Sequence, residues 1–140
     1  MHALETIHTA LRPQGLLLDV RPAPRHPIVE IARHAGTDEG KRWTPIGRVD
    51  DSYRHQTLAM SDAALLQVIE DGRFKPERAE AFTFIYHFER VETWLAHMAE
   101  HWSTAKLADE LVAKARQEQA RVVGEVRVLR VVNATRLRRV

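Results

Sequence analysis

The sequence predicts an α/β fold: a sheet of about five strands with flanking helices, in a single domain over residues 1–140. Three observations point there. Segments with apolar residues spaced three and four apart alternate with short runs rich in valine, leucine and phenylalanine. The stretch "EAFTFIYHFE" (80–89) alternates strictly, with Phe82, Phe84, Tyr86 and Phe88 on one face and Thr83, Ile85, His87 and Glu89 on the other. The 140 residues, 44% hydrophobic and 29% charged, match one globular core and exclude disorder over most of the length.

Each element follows in order. Leu4, Ile7, His8 and Leu11 set a helix over 2–11, which Pro13 and Gly15 stop. "LLLDV" (16–20) is apolar on both faces, which predicts a strand buried from both sides. "RPAPRHP" (21–27) holds three prolines and reads as loop. "IVEIAR" (28–33) and "WTPIGRVD" (43–50) flank the turn-rich 34–41 and predict a hairpin. A helix over 61–71 follows, with Ser61 as N-cap, Ala64, Leu65, Val68 and Ile69 as its stripe, and Gly72 at its end. After the 80–89 strand come helices over 91–101 and 104–120, with Ser103 or Thr104 as the cap between them. The valine-rich "EVRVLRVVNATRL" (125–137) is the last strand.

Composition narrows the function. A net charge of +2 is too mild to argue for nucleic acid, and the longest apolar run, around "GLLLDV", is too short to span a membrane. With no cysteine there is no disulfide framework and no thiolate metal site. The opening residues already read as amphipathic helix rather than signal peptide, so the expectation is a soluble cytoplasmic protein.

"HMAEH" (97–101) fits the H-x-x-E-H pattern of inverted zinc peptidases. On a helix, Val91, Leu95, Met98 and Trp102 centre the apolar stripe, His101 and Trp94 sit on its shoulder, and His97 lies further out. His97 and His101 share a face, as a metal needs, but a catalytic zinc requires three protein ligands. Asp109 and Glu110 are available for the third place, yet nothing singles them out. The expectation is no metal, with a zinc hydrolase last among the readings. The aromatic face of 82–88 has no interleaved lysine or arginine, which favours core packing over base stacking. Neither the basic "TRLRR" end nor Ser52, Ser61 and Ser103, which lack elbow glycines, signals a site.

"LETIHTALRPQGLLLDVRP" (4–22) carries a family resemblance. A helix, then L-R-P-x-G, then an apolar strand ending in an acid resembles the entry to the fifth strand of class I S-adenosylmethionine-dependent methyltransferases. The usual text there is L-[KR]-P-G-G, and here Gln14 replaces the first glycine. Pro13 blocks further helix, and Gly15 is the residue free to take positive φ and turn the chain into the sheet. "EAFTFIYHFERVETWLAHM" resembles the sixth strand with its helix, and "EVRVLRVVNATRL" the last strand. The resemblance implies a partial Rossmann-like methyltransferase sheet: the C-terminal half alone, with a hairpin inserted after its first strand. The half that binds the cofactor is missing, since no two of the six glycines are spaced G-x-G. No cofactor-binding residue can be carried over.

Strand 16–20 would be central in the complete fold, so here one of its edges loses a neighbour and invites another strand. The resemblance therefore implies a homodimer through 16–20, or else a partner chain that supplies the missing half. Asp19, Arg21, Arg25 and His26 follow the "LLL" run, toward the strand end where doubly wound sheets bind ligands, although mutual ion pairing is the favoured explanation of them. The leading expectation is a non-catalytic binding or dimerising module with no cofactor. The second is half of a transferase that takes S-adenosylmethionine only when a partner completes it. A reading frame truncated from a longer protein is a further possibility.

Overall fold

The computed structural model describes residues 2–33, 42–121 and 124–140. Among them the order is α1 (His2–Ala10), β1 (Leu16–Pro22), β2 (Ile28–Arg33), β3 (Arg42–Arg48), α2 (His55–Glu70), β4 (Phe74–Phe88), α3 (Val91–His101), α4 (Asp109–Arg121) and β5 (Val126–Arg139). The fold is α/β with a five-stranded sheet, ordered β1-β5-β2-β3, with β4 also on β5. The ladders of β5 with β1 and β2, and of β2 with β3, are antiparallel. The order of elements is the one the sequence predicts, and the hairpin forms from β2 and β3. Its turn lies outside the described residues.

The chain divides into two compact units. The first comprises Met1–Pro24, Arg54–Phe82 and Val131–Val140. Its core is Leu65, Val68, Phe74 and Leu137, with Leu4, Ile7, Leu11, Leu17 and Ile69 packed against them. Leu17 lies directly across from Leu137 in the β1–β5 ladder, so both point to the face that α1 and α2 cover.

β1 corrects the expectation of a strand buried from both sides. Its inner row is covered, but Leu16, Leu18 and Val20 are 49%, 64% and 49% exposed. The helices of this unit serve only the Leu17 face, and the other face is open. On that face Arg136 and Arg138 both bind Glu77, Arg136 at 3.0 Å.

The turn into β1 corrects a second expectation. Gln14, not Gly15, takes the left-handed conformation, at φ 63°. Gly15 is needed for a different reason: a Cβ there would sit 2.8 Å from the Arg12 carbonyl oxygen. β5 clamps this turn. The Arg138 guanidinium donates to the Gln14 carbonyl at 2.9 Å, Arg139 N–H donates to the Gly15 carbonyl at 2.8 Å, and the Arg139 side chain donates to the Leu11 carbonyl.

α2 begins six residues before the predicted cap. Ser61 sits inside the helix, its hydroxyl bonded to the Thr57 carbonyl at 3.0 Å. The winding starts earlier because Ser52–Arg54 already form a 3-10 turn, and the Asp50 carboxylate accepts the Ser52 N–H at 3.0 Å. Gly72 ends the helix as predicted, at φ 70°.

The second unit comprises Arg25–Tyr53 and Thr83–Arg130. Its core gathers Val29, Ile31, Ile46 and Val49 from the hairpin region, Val91, Trp94, Met98 and Trp102 from α3 and its end, Leu111 and Ala115 from α4, and Val126 and Val128 from β5. β3 runs so close to α4 that a Cβ on Gly47 would meet Leu111 Cδ1 at 2.6 Å. α4 starts at Asp109 rather than 104, because the backbone of Lys106 is committed to Asp50: Asp50 N–H donates to Lys106 O at 3.0 Å, and Lys106 N–H returns at 2.7 Å. The aromatic face of β4 is only partly core. Tyr86 and Phe88 pack against the cluster, whereas Phe82 and Phe84 are 46% and 48% exposed.

Candidate functional site

Within the first unit, strand alternation turns Asp19 and Arg21 toward the helices, on the same face as Leu17. The ladder sets Thr135 across from Asp19 and Asn133 across from Arg21. α2 brings Asp62, Leu65 and Leu66 over them, one turn apart. The result is a cavity of about 340 Å³ lined by Asp19, Arg21, Asp62, Asn133, Thr135 and an apolar wall of Pro22, Leu65 and Leu66. That volume is at the small end of ligand pockets.

Its electrostatics centre on Arg21. The guanidinium donates through Nε to Asp19 at 2.8 Å and through Nη2 to Asp62 at 3.0 Å, while Nη1 is buried without a hydrogen-bond partner. One cation between two carboxylates leaves a formal charge of −1, and Asn133 and Thr135 add uncharged hydrogen-bonding groups. Among the described lining residues there is no histidine, lysine or serine. The site has the chemistry to hold and orient a small polar molecule.

Arg25 and His26 belong to the second unit. Arg25 is exposed. His26 faces the start of the 3-10 turn, its Nδ1 lying 3.3 Å from Asp51 Oδ1 and 3.9 Å from Asp50. Asp51 is buried and pairs at 3.2 Å with the equally buried Arg130, whose guanidinium lies 4.3 Å over the Trp102 ring. Buried charges persist only when paired, so Asp51, Arg130 and Trp102 form one constraint that fixes β5 against the end of α3. Asp50, which is exposed, has its carboxyl held below the usual range, first by hydrogen bonds from Ser52 and then by the nearby His26 and Lys106.

α3 reverses the predicted roles of its histidines. His97 is the inner one, its ring 5.2 Å from Phe88, 5.9 Å from Tyr86 and 6.1 Å from Trp102, and its Nε2 is buried without a hydrogen-bond partner. His101 is the outer one, half exposed and 3.6 Å from Glu100. The β4 aromatics supply apolar surface on the His97 side, which spacing along the helix cannot reveal. The two ring centroids lie 4.6 Å apart with the planes tilted by 57°, but among the described residues no third ligand joins them, and Asp109 and Glu110 are exposed in the first turn of α4.

The sequence reading missed Asp62, Asn133 and Thr135, whose place depends on the β1–β5 register. It also missed Asp51 and Arg130. For Arg130 a signal existed: Val126, Val128, Arg130 and Val132 alternate into the buried face, so a charge in that row calls for a buried counter-charge.

Compared with protein-family models, with curated proteins and with solved structures, the chain matches none. No described helix is long and apolar enough to cross a membrane.

Proposed function

We propose that this chain is a methyltransferase-like domain without its own S-adenosylmethionine loop, and that it works in the cytoplasm as a non-catalytic binding module that dimerises through β1. The observation that carries the reading is the state of β1. It ends the sheet path, pairs only with β5 among the described strands, and exposes Leu16, Leu18 and Val20. An apolar sheet edge of this kind is a template for another strand.

Two further features support the methyltransferase likeness. Gln14, at the position where the resembled motif has its first glycine, holds the left-handed φ that suits glycine. β4 and β5 pair with each other, as the closing strand pair of that family does. The Asp19–Arg21–Asp62 pocket gives the module a place for a small polar ligand.

Sedimentation of the purified chain at micromolar concentration, with S-adenosylmethionine titrated in a calorimeter, tests both halves of the proposal. A dimer with no heat of binding is the expected result. A monomer overturns the dimerising role. Saturable binding of the cofactor overturns the non-catalytic role.

A further inference from the structure

We infer that two copies of this chain pair through β1 in one register: antiparallel, centred on Leu18, with Leu16 of each copy opposite Val20 of the other. The inference rests on the dimer reading above and fixes its geometry.

The backbone decides which residues can pair. In an antiparallel ladder, opposed residues alternate between those that exchange both hydrogen bonds and those that exchange none. Arg139 N–H bonds Gly15 O and Ala23 N–H bonds Val131 O, both on the same unbroken β1–β5 register. The odd-numbered residues from 15 to 23 therefore direct N–H and C=O toward β5. Leu16, Leu18, Val20 and Pro22 direct theirs to the open edge. Three of these four are the half-exposed apolar residues, and the fourth has no N–H.

A second strand must match even-numbered residue to even-numbered residue. Moving the centre to Asp19 would set that carboxylate directly against its own copy and leave a hydrogen bond to Pro22 unmade. Moving it to Leu17 would set Val20 against Gln14, outside the strand, so that only Leu16 and Leu18 of the apolar row would pair. Centring on Leu18 uses all three open residues, pairs donor with acceptor from Leu16 to Val20, joins the two apolar rows into one stripe, and leaves Pro22 facing Gln14 only at the two ends, beyond the apolar row. The match is with the chain's own sequence, which is why the occupant is a second copy.

The other edge strands carry interruptions, although β4 also exposes Phe82, Phe84 and Ile85 beyond its charged stretch. β4 carries Lys75, Pro76, Glu77, Arg78 and Glu80, and β3 carries Pro45 opposite a bulge at Val29/Glu30. Charge, proline and bulges are the devices that keep edges from pairing.

The chain has no cysteine, so engineered cysteines report the register directly. Residues opposed in a hydrogen-bonded pair have Cα atoms about 5.5 Å apart, within disulfide reach. Leu18→Cys is expected to oxidise to a covalent dimer of doubled mass. Leu16→Cys alone and Val20→Cys alone are expected to stay uncrosslinked, since each lies about 13 Å from its own copy, whereas their equimolar mixture crosslinks. Sedimentation of the unmodified chain separates the two failures. A dimer in which Asp19→Cys or Leu17→Cys crosslinks and Leu18→Cys does not, or in which none does, overturns the register alone. A monomer overturns the register together with the dimer.

Discussion

The two units treat their apolar residues differently. The second buries twelve side chains in one cluster, Trp94 and Trp102 among them, and locks a buried Asp51–Arg130 pair beside it. The first buries only Leu65, Val68, Phe74 and Leu137 in its cluster, and leaves Leu16, Leu18, Val20, Met60 and Leu66 exposed. The lesson is that apolar residues in a strand need not mean core. In the second unit they close a core, and in the first a row of them waits on an open face.

The largest tests of this contrast fall on the second unit. Trp94→Ala should cost about 3–5 kcal/mol in urea unfolding, while Trp94→Phe should cost less, because the buried indole N–H has no partner to lose. Asp51→Ala should cost about 3–5 kcal/mol by leaving Arg130 buried beside an empty counter-charge position. A cost under 1 kcal/mol for either would break the picture of a tightly specified second unit.

In the first unit the expected effects are smaller and conformational. Gln14→Gly should stabilise by about 0.5–1 kcal/mol, because glycine relieves the left-handed strain and returns part of the gain as lost chain entropy. Gly72→Ala should destabilise by about 1 kcal/mol on the reverse argument, since a Cβ there meets nothing. Thermal melts of both variants give the signs.

The smallest effect depends on pH. Hydrogen bonding from Arg138, then the charges of Arg138 and Arg136, holds the Glu77 carboxyl below its ordinary value of 4.5. A depressed folded value means the ionised form stabilises the fold above the unfolded value and stops doing so as pH falls through the folded one. Glu77→Gln should therefore lower stability slightly at pH 7, with the difference from the unsubstituted chain shrinking as pH drops below 4.5. A constant difference across that range would show that the ion pair contributes nothing.

Much of the fold was legible, because element type depends on local spacing. The stripe of Leu65 and Val68, the stop at Gly72 and the alternation of Tyr86 and Phe88 are properties of neighbouring residues. What failed to show was set at a distance. Leu18 reads as core until the helices of its unit prove to lie on the Leu17 side. His97 reads as the outer histidine until Phe88 and Tyr86 arrive from β4. The site was half visible: Asp19 and Arg21 share one strand, but Asp62, Asn133 and Thr135 meet them only once α2 and β5 are in place.

The ladder that joins Leu16 to Arg138 also has a consequence in time. β1 is synthesised long before β5, its only partner among the described strands. Until then its two edges are bare, and the strained turn at Gln14 has no arginine to hold it. Contacts so far apart in sequence slow folding and prolong the exposure of unpaired strands. A nascent chain of this protein therefore carries the apolar row of β1 unpaired until β5 has been made, which makes β1 a place where a chaperone would bind.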